Sequence, residues 1–452
     1  MAYWSRLRSR PVGYRDRQIL KGSAATLLYR GTAVIANVVT VPLLYNTLGR
    51  ERFGVVMALL AAGIAVSFGD LGIGNGLQNY LARVQDDRPR AAAVLKTGLA
   101  YATAIAACVA FLALATLPRL DLPAIFGTSA IAPPDLVSLS SLLVVLLSVQ
   151  IPLSLGQRVL AAYQRTHVHA AFMTVGNLVM LAAVIVTVLY HPTPGAALVS
   201  VLAPQVLANG AALGYAIHAL NIPLGSAALD LSRHLVHELL LTGLVFFAVQ
   251  GAFTAHATSD SLLVSSHLGA ATLSDYTLVM RVIAVLVLPI SALVAPLLGS
   301  LNDALARTDR AWLRQNLRRV AGFALLNLAI VVTGFWVFAE AVLGLWIGRP
   351  FDLSPALLLS FAALLAFQCL SIPVSVGVMT APLLHRSAII YCVAVAVAIA
   401  TKAYALETAG LPAFNFASAV ALSLLYVLPA GFLIFRRLYR ADSNPILQTS
   451  SK

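Results

Sequence analysis

The fold class expected is an all-α polytopic membrane protein with about 12 transmembrane helices, both termini in the cytoplasm. Three observations carry it. Hydrophobic residues make up 60% of the 452 and charged residues only 10%, against about 25% charged in soluble domains; mean hydropathy is +0.88. Twelve apolar stretches follow one another with short polar breaks. Lys and Arg are also unevenly shared between those breaks.

In chain order, residues 1–23 form a basic tail with Arg6, Arg8, Arg10, Arg15, Arg17 and Lys21. Spans one to six then fall at 24–48, 53–81, 91–117, 136–160, 170–190 and 196–220, giving an N-terminal six-helix lobe over 24–220. Residues 221–236 are polar and amphipathic, with Asp230, Arg233 and His234, and read as a linker lying on the membrane surface. Spans seven to twelve fall at 239–266, 273–301, 317–338, 354–380, 387–406 and 411–435, a C-terminal lobe over 237–436, followed by a polar tail at 437–452. The basic N-terminus runs into a full-length apolar span without a small-residue cleavage site, so it reads as an uncleaved first helix. With the N-terminus inside, the inner segments hold 22 Lys and Arg. The outer ones hold five: Arg50, Arg52, Arg119, Arg349 and Lys402. This positive-inside bias accounts for the net charge of +13 without nucleic acid. The six-plus-six arrangement suggests a parallel internal repeat. Leu48-Gly49 and Leu268-Gly269 each close an odd-numbered span, Phe53 and Tyr276 follow, and Val55-Val56-Met57 is echoed by Leu278-Val279-Met280.

The stretch 53–83 begins as a span and ends differently. Gly69, Gly72, Gly74 and Gly76 surround Asp70, still near membrane depth. Glycines beside an intramembrane carboxylate are tolerated against protein or a wet cavity. Two readings stay open: a helix end packed closely through its glycines, or a hinge at the inner mouth of a cavity, with Gly72 and Gly74 as the bending points.

Charges inside the spans are the candidate functional groups. Arg281 lies about 12 Å into span eight, too deep for easy snorkelling, so it should face protein or water. Arg30 lies about 9 Å into span one; Lys96, shallower in span three, reads as a snorkelling residue. His256 and Asp260 are four apart and share a face of span seven, as a proton or cation site or as a hydrogen-bonded structural pair. Asp260 is positioned to orient Arg281 on the next span. Cys108, Cys369 and Cys392 show no metal or redox spacing, so no cofactor is expected beyond H+ or Na+ coupling. No catalytic constellation appears: there is no DxD, no HExxH and no Ser-centred elbow. The longest outer loop, 118–134, is too short to hold the substrates of a polymerase or ligase.

The segment LGRERFGVVMALLAAGIAVSFGDLGIGNGLQNYLA (48–82) resembles the opening of the polysaccharide-transport proteins, the O-antigen flippase (Wzx-like) branch of the multidrug/oligosaccharidyl-lipid/polysaccharide exporter superfamily. SDSLLVSSHLGAATLSDYTLVMRV (259–282) resembles a later block of that branch, whose recurring acid, Leu-Gly, Tyr and Arg fall on Asp260, Leu268-Gly269, Tyr276 and Arg281. PLLGSLNDALARTDRAWLRQNLRR (296–319), with Asp309 and Trp312 at its closing positions, and LGLWIG (343–348) continue the likeness. Leu298 and Asp303 depart from the common Trp and Glu. The resemblance implies two six-helix lobes around a V-shaped cavity in the bacterial cytoplasmic membrane, and a flippase rather than an enzyme. The cargo it implies is an undecaprenyl-pyrophosphate-linked oligosaccharide, an O-antigen or exopolysaccharide repeat unit bound for lipopolysaccharide or a surface polymer. Glycosyltransferases, a polysaccharide polymerase and membrane lipids are the partners implied. A guanidinium suits a pyrophosphate, which makes Arg281 and Arg30 the candidate ligands. Two other readings stand beside it: an organic-cation or multidrug exporter of the same superfamily, which would want acids in its cavity, and a non-transporting scaffold for polysaccharide assembly.

The charge bias makes a topological prediction. A reporter active only outside the membrane, fused after Arg440, is silent; strong activity there contradicts the arrangement.

Overall fold

The computed structural model describes residues 12–67, 73–84, 86–223, 225, 233–292, 310–378 and 384–439, and among these all regular structure is helical. The helices are α1 (Val12–Leu48), α2 (Arg50–Ser67), α3 (Ile73–Val84), α4 (Arg88–Thr116), the short α5 (Leu122–Phe126), α6 (Pro133–Leu153), α7 (Leu155–Ala162), α8 (Thr166–Tyr190), α9 (Pro194–Ala219), α10 (Arg233–Leu268), α11 (Ala270–Ala292), α12 (Arg310–Ile347), α13 (Pro355–Val378), α14 (Leu384–Leu422) and α15 (Leu428–Tyr439).

Among the described residues, nine helical stretches are long and apolar enough to cross a membrane. One of them, Ser387–Leu433, has 47 residues. That is about 70 Å of helix, twice what a bilayer core of about 30 Å needs. It divides at Gly410, whose φ of +74° and ψ of −165° are not helical, with Pro412 just beyond. Two spans therefore meet there, as expected. Spans two and seven complete the twelve. Span two is described as helix over Arg50–Ser67 and again over Ile73–Val84. Span seven is α10, helical throughout. Span four is divided. Pro152 lacks an N–H and crowds the carbonyl four residues earlier, and α6 gives way to α7 at Ser154. Several helix starts are set by side chains: Asp87, Asp121 and Thr193 each accept the backbone N–H three residues on at 3.2 Å, with proline in the first turn, where its missing donor costs nothing.

The chain packs as two compact units, Met1–Asp275 and Tyr276–Lys452. In the first, α1 lies along α8 and α8 along α9, while α6 packs on α4 and α9. At one end of this unit α3, α4, α7 and α9 close an apolar core that includes Leu77, Leu81, Leu95, Leu155 and Ala212. Helix α10 packs on α2 and α3, so span seven is held by the N-terminal helices. In the second unit α13 packs between α12 and α14, and a π-helical turn, Ser423–Val427, leads into α15.

The two Leu-Gly echoes are copies of one corner. Gly49 (φ +80°) joins α1 to α2, and Gly269 (φ +86°) joins α10 to α11, a conformation only glycine adopts cheaply. Each glycine N–H donates to the carbonyl four residues back, Tyr45 at 3.1 Å and Ser265 at 2.9 Å. Each glycine carbonyl accepts from the residue four on, Phe53 at 3.0 Å and Leu273 at 3.2 Å. The corners thus pair Phe53 with Leu273, three residues before Tyr276. They also meet. A Cβ on Gly54 would lie 1.8 Å from the carbonyl oxygen of Ala270, and one on Gly127 would lie 1.9 Å from that of Ser265. Ala270 N–H donates to the Gly127 carbonyl at 2.9 Å, and the Ser265 hydroxyl donates to that of Phe126 at 2.5 Å.

This backbone-to-backbone packing predicts a sharp contrast. Gly54→Ala lowers the thermal unfolding temperature of the purified protein, since overpacking against a main chain costs about 1–3 kcal/mol. Gly31→Ala, whose Cβ meets nothing within 4 Å, leaves stability unchanged or raises it by up to about 1 kcal/mol. Equal behaviour of the two variants contradicts the contact.

Candidate functional site

Around the paired corners stands a group of charges, of which Arg50 and Glu51 lie between predicted spans and Asp275 near the start of span eight. Arg50 at the start of α2 forms a salt bridge with Asp275 in the second turn of α11. Its Nε also donates to Asp275 Oδ1 at 3.3 Å, and the Tyr45 hydroxyl donates to the same oxygen at 3.1 Å. Next to it the Glu51 carboxylate accepts from the Thr128 hydroxyl (2.7 Å) and from the N–H groups of Ser129 (2.9 Å) and Ala130 (3.0 Å). These bonds to the ionised form, Thr128 first, hold the Glu51 carboxyl below the usual glutamate range, and the hydrogen bond to Asp275 raises Arg50. The sequence reading missed this clasp, because its partners are 77 and 225 residues apart and no local pattern links them.

The candidates named from the sequence fall as follows. Arg30 sits on α1, inside the span window Ala25–Leu48, with its side chain exposed. Arg281 sits on α11, inside the window Ala270–Ile290, and is half-buried. It belongs to the second unit; Arg30 belongs to the first. His256 and Asp260 are half-buried one turn apart on α10. Their helix is tied to α2 by the Thr258 hydroxyl, which donates to the Ala61 carbonyl at 3.1 Å. Asp70 and Gly72 lie outside the described residues, as does half of the linker expected at 221–236. Gly74 is buried in the first turn of α3.

Two further features escaped the sequence. The first is a set of part-buried amides inside the first unit. Asn177 on α8 donates from Nδ2 to the Tyr29 carbonyl and to the Thr32 hydroxyl on α1, both at 3.3 Å. Gln205 on α9 donates from Nε2 to Asn177 Oδ1 at 2.9 Å. Asn209 donates to the backbone carbonyl of Gln205, one turn earlier on its own helix, at 2.9 Å and meets His169 Nε2 at 3.4 Å through its Oδ1. The sequence reading singled out charges within the spans and so passed over these uncharged amides. The second feature corrects the sequence count. Lys402, assigned to an outer segment, is fully buried in the second unit, its ammonium 5.5 Å from the Phe414 ring centroid. Its helix continues to Gly410, about 12 Å further, so the lysine lies two turns inside. Beside Phe414, Asn415 is buried and donates to the Ser360 hydroxyl at 2.9 Å.

The family model of polysaccharide biosynthesis proteins matches residues 19–301. Among solved structures the chain is similar to an inward-facing multidrug resistance MATE family transporter of the MOP superfamily: 13% identity, TM-score 0.78, covering 93% of this chain and 99% of that one. It is also similar to a MOP superfamily transporter from Pyrococcus furiosus Vc1 (DSM3638), described as having a binding pocket of reverse polarity: 14% identity, TM-score 0.65, covering 94% and 96%. A MATE protein in complex with MaL6 is similar at 14% identity and TM-score 0.64, covering 94% and 97%. No curated protein matches.

The clasp carries a pH prediction. Because the Glu51 carboxyl titrates below its ordinary value in the folded protein, its contribution is complete above the unfolded value and fades as pH falls through the folded one. The difference in unfolding temperature between wild type and Glu51→Gln is therefore full at neutral pH and closes below about pH 4. A difference that persists in acid contradicts the role of the charge.

Proposed function

The chain belongs to the polysaccharide biosynthesis protein family and has the fold of the MOP superfamily transporters, and on that footing we propose that it is a flippase. Its cargo is an oligosaccharide linked to undecaprenyl pyrophosphate, moved across the bacterial cytoplasmic membrane by alternating access with H+ or Na+ coupling. The observation that carries this reading is the presence of a guanidinium within an apolar span of each unit, Arg30 and Arg281. A charge at such depth is expensive unless it has work to do. A polyprenyl pyrophosphate, anionic and lipid-borne, repays that cost in a way an organic cation does not. The Pyrococcus furiosus transporter, whose pocket polarity is described as reversed, supports reading the sign of the cargo from this chain's own charges rather than from the fold.

Arg281 and Arg30 are the pyrophosphate-binding residues in this reading. A guanidinium has five donors, so Arg281 can keep a carboxylate on one edge while offering the other to a phosphate oxygen. Asp260 is the carboxylate that orients it, and His256 carries the ion dependence. Gly72 and Gly74 let the end of span two bend during the cycle. A multidrug exporter of the same fold is the alternative.

Arg281 gives the test. Arg281→Ala removes surface polysaccharide while the protein still inserts. It weakens binding of the lipid-linked oligosaccharide to purified protein by about tenfold or more, as loss of charged hydrogen bonds worth about 1.5–3 kcal/mol requires. Arg281→Lys restores part of it, keeping the charge but losing the fork. Unchanged binding with reduced stability makes Arg281 a structural residue and overturns the site.

A further inference from the structure

Three junctions that the charge bias places on the outer side meet in the first unit: 49–52 between spans one and two, 118–134 between spans three and four, and the Gly269 corner between spans seven and eight. Their contacts sort into two groups. The first binds α2 to the loop after α5. The Glu51 carboxylate gathers the Thr128 hydroxyl and the N–H groups of Ser129 and Ala130, which makes the start of α2 and that loop one body. The second group runs from this body to the α10–α11 corner. It includes the Arg50–Asp275 ion pair, the Tyr45 hydroxyl on Asp275, the Ala270 N–H on the Gly127 carbonyl and the Ser265 hydroxyl on the Phe126 carbonyl.

This second seam is built to part. Its facing surfaces are main chain and glycine: Gly54 admits the Ala270 carbonyl, and Gly127 admits the Ser265 carbonyl and the Gly269 Cα. Small residues let backbones approach closely, and at these points no side chain has to leave a packed socket when the surfaces separate. The bonds that cross the seam are polar and can be exchanged for bonds to water, so the net loss for each is small. The ion pair already stands partly in water, its side chains 53% and 27% exposed, and such pairs contribute little. The glycines therefore give the seam a single registry when closed, and the polar bonds let it open. The helix on the far side of the seam is also placed for such a role. Span one, α1, lies along α8 of its own half of the sequence, whereas its repeat counterpart α10 packs on α2, α3 and α5 of the other half. About 10 Å further along α10 from Ser265, the Thr258 hydroxyl bonds the Ala61 carbonyl of α2.

We propose that this seam is the outer gate of the transport cycle. Closed, it holds the α10–α11 corner on α2 and on the loop after α5, with Arg50 and Asp275 as its latch. Open, it parts between the corner and the face made by Gly54 and Gly127, while Glu51 keeps α2 and the loop together. The proposal rests on the reading of the chain as an alternating-access flippase. Alternating access needs a closure that fits closely and is undone in every cycle; the glycine contact supplies the fit and the exposed latch supplies the release. A permanent brace between helix ends would show the same bonds when closed. The two differ at Ser265, which is 0% exposed: in a brace it never meets water, and in a gate it does so in each cycle.

The experiment places a thiol at that position. Full-length protein in nanodiscs carries Ser265→Cys, with Cys108, Cys369 and Cys392 replaced by alanine, and is treated with a charged maleimide, which labels a thiol that reaches water. Labelling is followed well below the unfolding temperature of each variant. With the latch intact the thiol labels slowly and to completion. Arg50→Ala and Asp275→Ala each label severalfold faster, and the reversed pair, Arg50→Asp with Asp275→Arg, returns the rate toward that of the intact latch. A thiol that stays unlabelled with and without Arg50→Ala overturns the gate, as does a rate that no latch variant changes. The same proteins in liposomes report separately on the cargo. Labelling that follows the latch, without movement of an undecaprenyl-pyrophosphate oligosaccharide, supports the gate and overturns the cargo reading. Movement of that lipid with a thiol indifferent to the latch overturns only the gate.

Discussion

Two glycines and an alanine carbonyl set the geometry of the first unit. Where α2 passes α11, the main chains touch with no side chain between them, because Gly54 leaves room for the Ala270 carbonyl. Gly127 makes the same allowance for Ser265 at the end of α10. Once the backbones are this close, the rest of the region has few choices. The Ala270 N–H reaches the Gly127 carbonyl, the Ser265 hydroxyl reaches that of Phe126, and the corner glycines take positive φ. The Arg50–Asp275 salt bridge and the Glu51 cradle then close over the outside of the contact. Charge pairs at a surface contribute little by themselves. Here their value lies in holding helix ends whose registry the main-chain contact has already fixed.

Much of this architecture was legible in the sequence. The spans could be read because hydropathy is a local property averaged over about 20 residues. The corners could be read because Leu48-Gly49 and Leu268-Gly269 repeat, and a glycine at a helix end has a backbone reason. The register of the repeat was off by three, since the echo of Val55-Val56-Met57 in Leu278-Val279-Met280 is a likeness of composition, whereas the hydrogen bonds pair Phe53 with Leu273. The break of span four rests on Pro152, which an average over about 20 residues passes over.

The candidate site was legible only as a set of charges. Arg30, Arg281, His256 and Asp260 stand out because ionisable groups are rare in apolar spans. What connects such groups does not stand out. Asn177, Gln205 and Asn209 are ordinary residues until the fold aligns their donors. Lys402 looked like the end of a helix because the hydropathy profile fades before the helix does; Gly410, with its positive φ, marks the true corner. A buried ammonium over an aromatic ring and the amide bonds that tie α8 to α1 and α9 come from the packing of helices on one another, which no local pattern encodes.

The central claim is that the two deep guanidinium groups serve an anionic, lipid-borne cargo. Purified wild-type protein in liposomes gives the direct measurement. A fluorescent undecaprenyl-pyrophosphate oligosaccharide placed in one leaflet is followed to the other, alongside efflux of an organic cation such as ethidium. The account predicts saturable movement of the lipid, competed by undecaprenyl pyrophosphate and indifferent to ethidium. Efflux of ethidium with no movement of the lipid would contradict it.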